Sequence, residues 1–180
     1  MTETLSLSNA ISFLIEHAKK NGADAAESFG INSTTISAEC RQQKTETLEY
    51  AQTAAVDLRV FCGRRQSVVS SSVLEKNALK ELAERAVQMA EIVPEDPYCG
   101  LADPALQAQN FPELDMYDAA ETSTQDLLNL ALEAEDAALS VSGVFQSDGA
   151  GANVDKSHII MASTTGFRRE YDRSSASFSV

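Results

Sequence analysis

The sequence predicts an α+β fold in which antiparallel hairpins build one or more sheets and amphipathic helices cover them. Three observations lead there. Val56, Leu58, Val60 and Cys62 alternate with Asp57, Arg59 and Phe61, which gives a strand with one apolar face. Gly63-Arg64-Arg65 offers a turn, and Gln66 to Ser72 reads as the returning strand. Leu79, Leu82, Ala83, Ala86, Val87, Met89 and Ala90 then fall on one stripe at helical spacing. The hairpin thus feeds directly into a helix able to cover it, and residues 56–92 are expected to be the centre of the core. Ser72-x-x-Glu75 has capping-box spacing for that helix, and Pro94 ends it.

The chain before this unit opens with a helix. Leu7, Ile11, Leu14, Ile15 and Ala18 form its stripe, Ser6 or Ser8 can cap it, and Asn21-Gly22 ends it after Lys19 and Lys20. Ala23 to Cys40 reads as one or two strands, with Gly30 as a bulge. Arg41 to Tyr50 contains helix formers, but its place between strands favours a turn and a further strand.

All four prolines lie in residues 94–118, which predicts a connecting linker, ordered or partly mobile, rather than a packed element. A second helix is expected over Thr122 to Leu139. Thr122-x-x-Gln125 has capping spacing, and Leu127, Leu128, Ala131, Ala134 and Ala138 supply the face. Glu133, Glu135 and Asp136 oppose the dipole at its C-terminal end, which suggests solvent or a basic partner there. Strands follow around Val154 to Ala162 and from Phe167 to Val180, with turns at Ser147-Asp148-Gly149 and Thr165-Gly166. Helix followed by strands occurs in residues 6–72 and again in 122–180, which suggests a duplicated α+β unit. The last strand pattern stops at Val180 without a polar tail, so a longer natural protein is expected, with 1–180 as its N-terminal domain and the C-terminal domain absent.

The 180 residues carry a formal net charge of −13. Residues 1–90 hold ten Lys/Arg and eleven Asp/Glu, whereas residues 91–180 hold four and sixteen. No Lys or Arg lies between Arg85 and Lys156. Such a surface repels phosphate backbones, so nucleic-acid binding is not expected. Three scattered cysteines without a CxxC pair read as free thiols of a reducing compartment. The N-terminus lacks the pattern of a signal peptide and no apolar run reaches spanning length, so a cytoplasmic protein without membrane contact is expected.

Chemistry-bearing patterns are sparse. His17 and His158 are the only histidines, and neither sits in an HExxH or HExxxH pattern, so no metal ligand and no catalytic residue is assigned. Ser70-Ser71-Ser72 has no GxSxG context. Ser147-Asp148-Gly149-Ala150-Gly151 lacks the lysine of a P-loop and reads as a hairpin turn. The acidic stretch from Glu91 to Asp136 has no EF-hand spacing. Arg64 at the hairpin tip, with Ser70 and Ser71 on the returning strand, is the one candidate contact for a peptide.

LRVFCGRRQSVVSSS at 58–72, PEDPYCGLAD at 94–103, AEDAALSVSGVFQSDGAGA and MASTTGF together resemble the TldD/PmbA family, the modulators of DNA gyrase, and the second stretch is most similar to its PmbA (TldE) branch. The resemblance implies a cytoplasmic protein with an N-terminal α+β domain. It also implies a hetero-oligomeric metallopeptidase complex. The TldD-like partner subunit carries an HExxxH zinc motif, and the PmbA-type subunit lacks it. Its implied substrates are unfolded peptides. No catalytic or metal residue of the family maps onto this chain, so zinc is expected only in the partner and no cofactor here. Two roles follow as expectations. Either the domain shapes the substrate path and contacts the partner, or it is a purely structural or regulatory interaction domain without substrate contact.

Overall fold

A computed structural model describes residues 3–180. The element order is α1 (Leu7–Lys20), β1 (Ala25–Arg41), β2 (Lys44–Cys62), β3 (Arg65–Ser71), α2 (Lys76–Ile92), α3 (Thr124–Leu139), β4 (Ala150–Ser163) and β5 (Arg168–Ser179). One 3-10 turn, Pro104–Leu106, interrupts the long connection between α2 and α3. The five strands form a single antiparallel sheet in the order β3-β2-β1-β4-β5. Three strands follow α1 and two follow α3. The chain divides into two compact units, one made of the segments up to Asn32, Thr53–Leu114 and His158–Tyr171, the other of Ser33–Gln52, Asp115–Ser157 and Asp172–Val180.

The first unit is built on the predicted hairpin and helix. Val56, Leu58 and Val60 of β2 and Val69 of β3 are buried against Leu79, Leu82, Ala83, Ala86, Val87 and Ala90 of α2. Alternation on the strands and the 3.6-residue period on the helix put both apolar sets on facing surfaces. Met89 is 40% exposed and leaves the predicted stripe. Ser67 lies on the same face as Val69, and its hydroxyl donates to the Ala86 carbonyl at 2.6 Å, so a buried polar atom is satisfied where β3 meets α2.

α1 buries Leu7, Ala10, Ile11, Leu14 and Ala18 in the same core. Ser6 is its N-cap, accepting from the Asn9 N–H at 3.3 Å. Gly30 is no bulge but part of the continuous strand β1. A Cβ there would lie 2.7 Å from Ile11 Cδ1 and 2.9 Å from Leu7 Cδ1, so glycine lets α1 sit close on the strand.

Helix α2 begins at Lys76 with Glu75 as N-cap, and no side chain caps it. The proposed Ser72 capping box is therefore not formed. The chain is still committed elsewhere at that point: Thr4 bridges Glu75, and the Lys76 N–H donates to the Glu3 carbonyl at 3.0 Å. Arg41 to Tyr50 resolves as a two-residue turn and the first half of β2, a 19-residue strand.

In the second unit α3 packs on small residues. Leu127, Leu128 and Ala131 meet Ala38, Cys40, Ala150 and Ala152, with Ile36 and Val154 at the margin. Its cap is Ser123, not Thr122. The Ser123 hydroxyl accepts from the Asp126 N–H while the Asp126 carboxylate accepts from the Ser123 N–H, a reciprocal capping box one residue later than predicted. The other sheet face of this unit is polar. Ser33 and Ser157 hydroxyls lie 2.9 Å apart, Thr35 donates to Asp155 at 2.6 Å, and Ser177 donates to Asn153 at 2.6 Å.

Glu135 was expected to be an unfavourable charge at a helix end. Instead it is fully buried. Its carboxylate accepts from the backbone N–H of Gln42 at 2.9 Å and of Gln43 at 2.7 Å, at the tip of the β1–β2 hairpin. Those bonds, that to Gln43 foremost, hold its carboxyl below the ordinary carboxylate range against the opposing effect of burial.

Candidate functional site

β3 is an outer strand of the sheet, so one side of its backbone has no strand neighbour. On its inner side it pairs with β2 from Val56↔Ser71 to Cys62↔Arg65. Because side chains alternate, Ser67 and Val69 point to the α2 side, while Gln66, Val68 and Ser70 point to the opposite, open face. Val68 is 57% exposed.

The open face beside this edge is organised by Arg59. Its Nη1 donates to Glu27 Oε1 at 3.0 Å, its Nε donates to Gln66 Oε1 at 2.8 Å, and its guanidinium carbon sits 4.8 Å from the centroid of the Phe61 ring. Phe61, on the polar side of the alternation, is 3% exposed as a result of such cover. Next to this cluster is a groove of about 180 Å³ lined by Glu27, Phe29, Asp57, Arg59, Val68 and Met161. A second depression, about 190 Å³, shares Glu27 and Met161 and extends to Leu101 and Phe167. Apolar walls with a few fixed polar groups suit recognition of an extended chain, whose backbone can add to the β3 edge.

The three predicted contact residues lie along this edge without converging. Arg64 is exposed in the β2–β3 turn, and its carbonyl accepts from the Asp96 N–H at 2.7 Å. Ser70 is exposed on the open face. Ser71 is engaged locally: its hydroxyl accepts from the Val73 N–H at 3.0 Å. Arg64 and Ser70 lie six positions apart, roughly 20 Å along an extended chain. Sequence reasoning missed Glu27, Phe29, Arg59 and Met161. The alternation at 56–62 had already put Asp57 and Arg59 on the non-core face, but nothing in the sequence brings Glu27 and Met161 to them. The other outer strand, β5, is partly covered: the Ser174 N–H donates to the Met116 carbonyl at 2.9 Å.

A zinc centre does not fit the residues present. His17 lies on α1 against Phe13, ring centroids 4.0 Å apart, and His158 lies on β4. Among the described residues no group of three or more His, Cys, Asp and Glu side chains is placed to hold a metal. Cys40, Cys62 and Cys99 are free thiols. Burial pushes the Cys40 and Cys62 thiols up from their ordinary range, Glu135 adding to it for Cys40 and Asp24 for Cys62, so neither is a reactive thiolate at neutral pH. The segment from Ser147 to Gly151 leads from α3 into β4 and is not a hairpin between strands. Among the described residues no helix is long and apolar enough to cross a membrane.

Two family models match the chain: PmbA/TldA metallopeptidase domain 1 over residues 26–90 and PmbA/TldA metallopeptidase central domain over residues 117–180. A metalloprotease PmbA homolog of Haemophilus influenzae is 32% identical over 166 residues, which is 92% of this chain and 37% of that protein. A Bacteroides thetaiotaomicron protein described as a modulator of DNA gyrase superposes with a TM-score of 0.85 at 22% identity, covering 95% of this chain and 39% of the other. TldE from Thermococcus kodakarensis gives a TM-score of 0.78 at 19% identity, covering 94% and 38%. At those identities the likeness to the two structures is one of fold. The chain spans little more than a third of the length of these relatives. On the two family models and the curated relative together, the chain belongs to the PmbA/TldD metallopeptidase family.

Proposed function

We propose that this chain is the N-terminal α+β part of a PmbA/TldE-like subunit that holds no metal itself and works with a TldD-like, metal-bearing subunit to process unfolded peptides. Its share of the work is to shape the substrate path and to contact the partner. The observation that carries this reading is the unpaired edge of β3 beside the Arg59 groove. Main-chain hydrogen bonds along an edge accept many sequences, which suits a subunit that presents unfolded peptide to a metal centre elsewhere. Zinc belongs to the partner in this reading, and no step is assigned to it here. A net charge of −13 supports a role without nucleic acid.

A purely structural or regulatory interaction domain is the second reading. It is favoured by apolar side chains left in solvent, among them Phe145 at 95% and Phe178 at 62% exposure. Photocrosslinking an unfolded peptide to the intact complex separates the two. Label on residues 64–71 supports the first, and label confined to the metal-bearing subunit supports the second.

A further inference from the structure

We infer that residues 95–111 form an autoinhibitory strap: they sit on the open face of the first unit where a leucine-bearing segment of an unfolded peptide would dock, and keep it out. This goes beyond the reading above, which concerns the β3 edge. The strap starts at the β2–β3 turn, where the Asp96 N–H donates to the Arg64 carbonyl at 2.7 Å and Glu95 pairs with Arg65 at 3.3 Å. It ends at the β4–β5 turn, where Gln107 Nε2 donates to Thr165 Oγ1 at 3.1 Å and the Arg169 guanidinium carbon lies 3.8 Å from the Phe111 ring centroid. β1 lies between β2 and β4 in the sheet, so the strap crosses all three. Between its ends, Leu101, Ala102 and Gln107 wall one side of the depression of about 190 Å³, opposite Glu27, Met161 and Phe167. The strap is loosely held. No residue from 94 to 111 is buried, the solvent-facing Arg65–Glu95 pair contributes little, and the space beside Leu101 is left unfilled. Glu27 and Met161 also line the groove beside Arg59, so lifting the strap leaves both depressions open as one lane from Val68 to Phe167. Leu101 shows what the face accepts: a leucine on a chain without regular structure. A tethered segment meets its seat at an effective concentration of about 1 mM, so even a weak seat stays closed until an outside segment competes for it.

The test compares the 180-residue chain with a variant in which residues 100–110 are replaced by a Gly/Ser stretch of equal length. Amide NMR of each isotope-labelled chain is followed while a peptide copying residues 97–111, with Cys99→Ser, is added. The variant should show saturable shifts at Glu27, Met161 and Phe167 with half-saturation below about 1 mM, because a weaker seat would not close in cis. The natural chain should need roughly tenfold more peptide, since its own strap competes. Leu101→Ser in the peptide should weaken binding to the variant about fivefold or more. A Ser/Gly-rich peptide with a single Leu-Ala pair should shift the same amides. Gln107→Ala with Phe111→Ala, two strap positions outside the core, should give an intermediate half-saturation, and this pair carries the test where the replaced chain does not melt cooperatively. Equal half-saturation in the natural and loosened chains shows that the strap excludes nothing and overturns the inference. No shift of these amides up to about 1 mM peptide in the loosened chains overturns the seat itself. Binding that ignores Leu101→Ser, or that the Leu-Ala peptide fails to reproduce, overturns the leucine-bearing segment as the occupant.

Discussion

Glu135 on α3 accepts hydrogen bonds from the backbone N–H groups of Gln42 and Gln43, residues 93 and 92 positions away in the chain. Both glutamines have positive φ, 52° and 59°, the conformation of a two-residue hairpin turn that is usually filled by Asn or Gly. For residues with a Cβ this backbone costs about 1 kcal/mol or more each. The carboxylate offsets it by satisfying both turn donors at once, and Gln43 Nε2 and the Cys40 thiol also point at it.

Replacing that carboxylate should loosen the hairpin tip. Glu135→Ala removes the acceptor of both turn N–H groups and is expected to destabilise more than Glu135→Gln, whose amide oxygen can still accept one of them. The folded carboxyl titrates below its unfolded value, so its contribution is present above the unfolded value and is lost as pH falls through the folded one. Thermal melts between pH 3 and pH 7 should show a shallower acid limb in Glu135→Gln than in the wild type. Parallel limbs would mean that the carboxylate contributes no pH-dependent stability.

Leu82 lies at the centre of the α2 face and is 4% exposed. Leu82→Ala should cost about 2–5 kcal/mol in urea unfolding, the usual range for a buried leucine. A loss below about 1 kcal/mol would show that the core tolerates the cavity by collapse.

Limited proteolysis should cut first between Pro94 and Asp118. Apart from the 3-10 turn the stretch has no regular structure, and Tyr98 and Leu106 are 94% and 83% exposed. Chymotrypsin offers the direct assay, and first cleavage within Val56–Ser71 would contradict the assignment of the hairpin to the core.

Metal analysis of the purified chain is expected to find no stoichiometric zinc, because catalysis by zinc needs several convergent ligands and an open position for water. If the proposed two-subunit complex forms, chelator is expected to abolish its peptide cleavage. One zinc per chain, or chelator-sensitive cleavage by this chain alone, would place a metal site where the donor geometry offers none.

Much of the fold was legible because it is local. The stripes of α1 and α2, the Ser6 cap, the turn at Gly63 and the stop before Pro94 follow from periodicity and turn chemistry within a few residues. The errors came where distant contacts decide. Ser72 had the spacing of a cap, yet the pairing of Glu75 with Thr4 set the helix start. Thr122 and Ser123 are adjacent hydroxyls, and only the reach of Asp126 tells them apart. The first half of β2 is exposed and shows no alternation, so its strand character rests on its neighbours in the sheet. The groove was invisible for the same reason: Glu27 and Arg59 are 32 residues apart, and Met161 comes from β4.

The central claim is that peptide adds to the outer edge of β3. Backbone amide NMR of the isotope-labelled chain, titrated with an unfolded peptide, tests it most directly. The account predicts shifts concentrated on Arg65–Ser71 and its β2 partners, with slowed exchange of the outward β3 amides. Saturable shifts confined to β5 or to the segment around Phe145, with β3 unchanged, would contradict it.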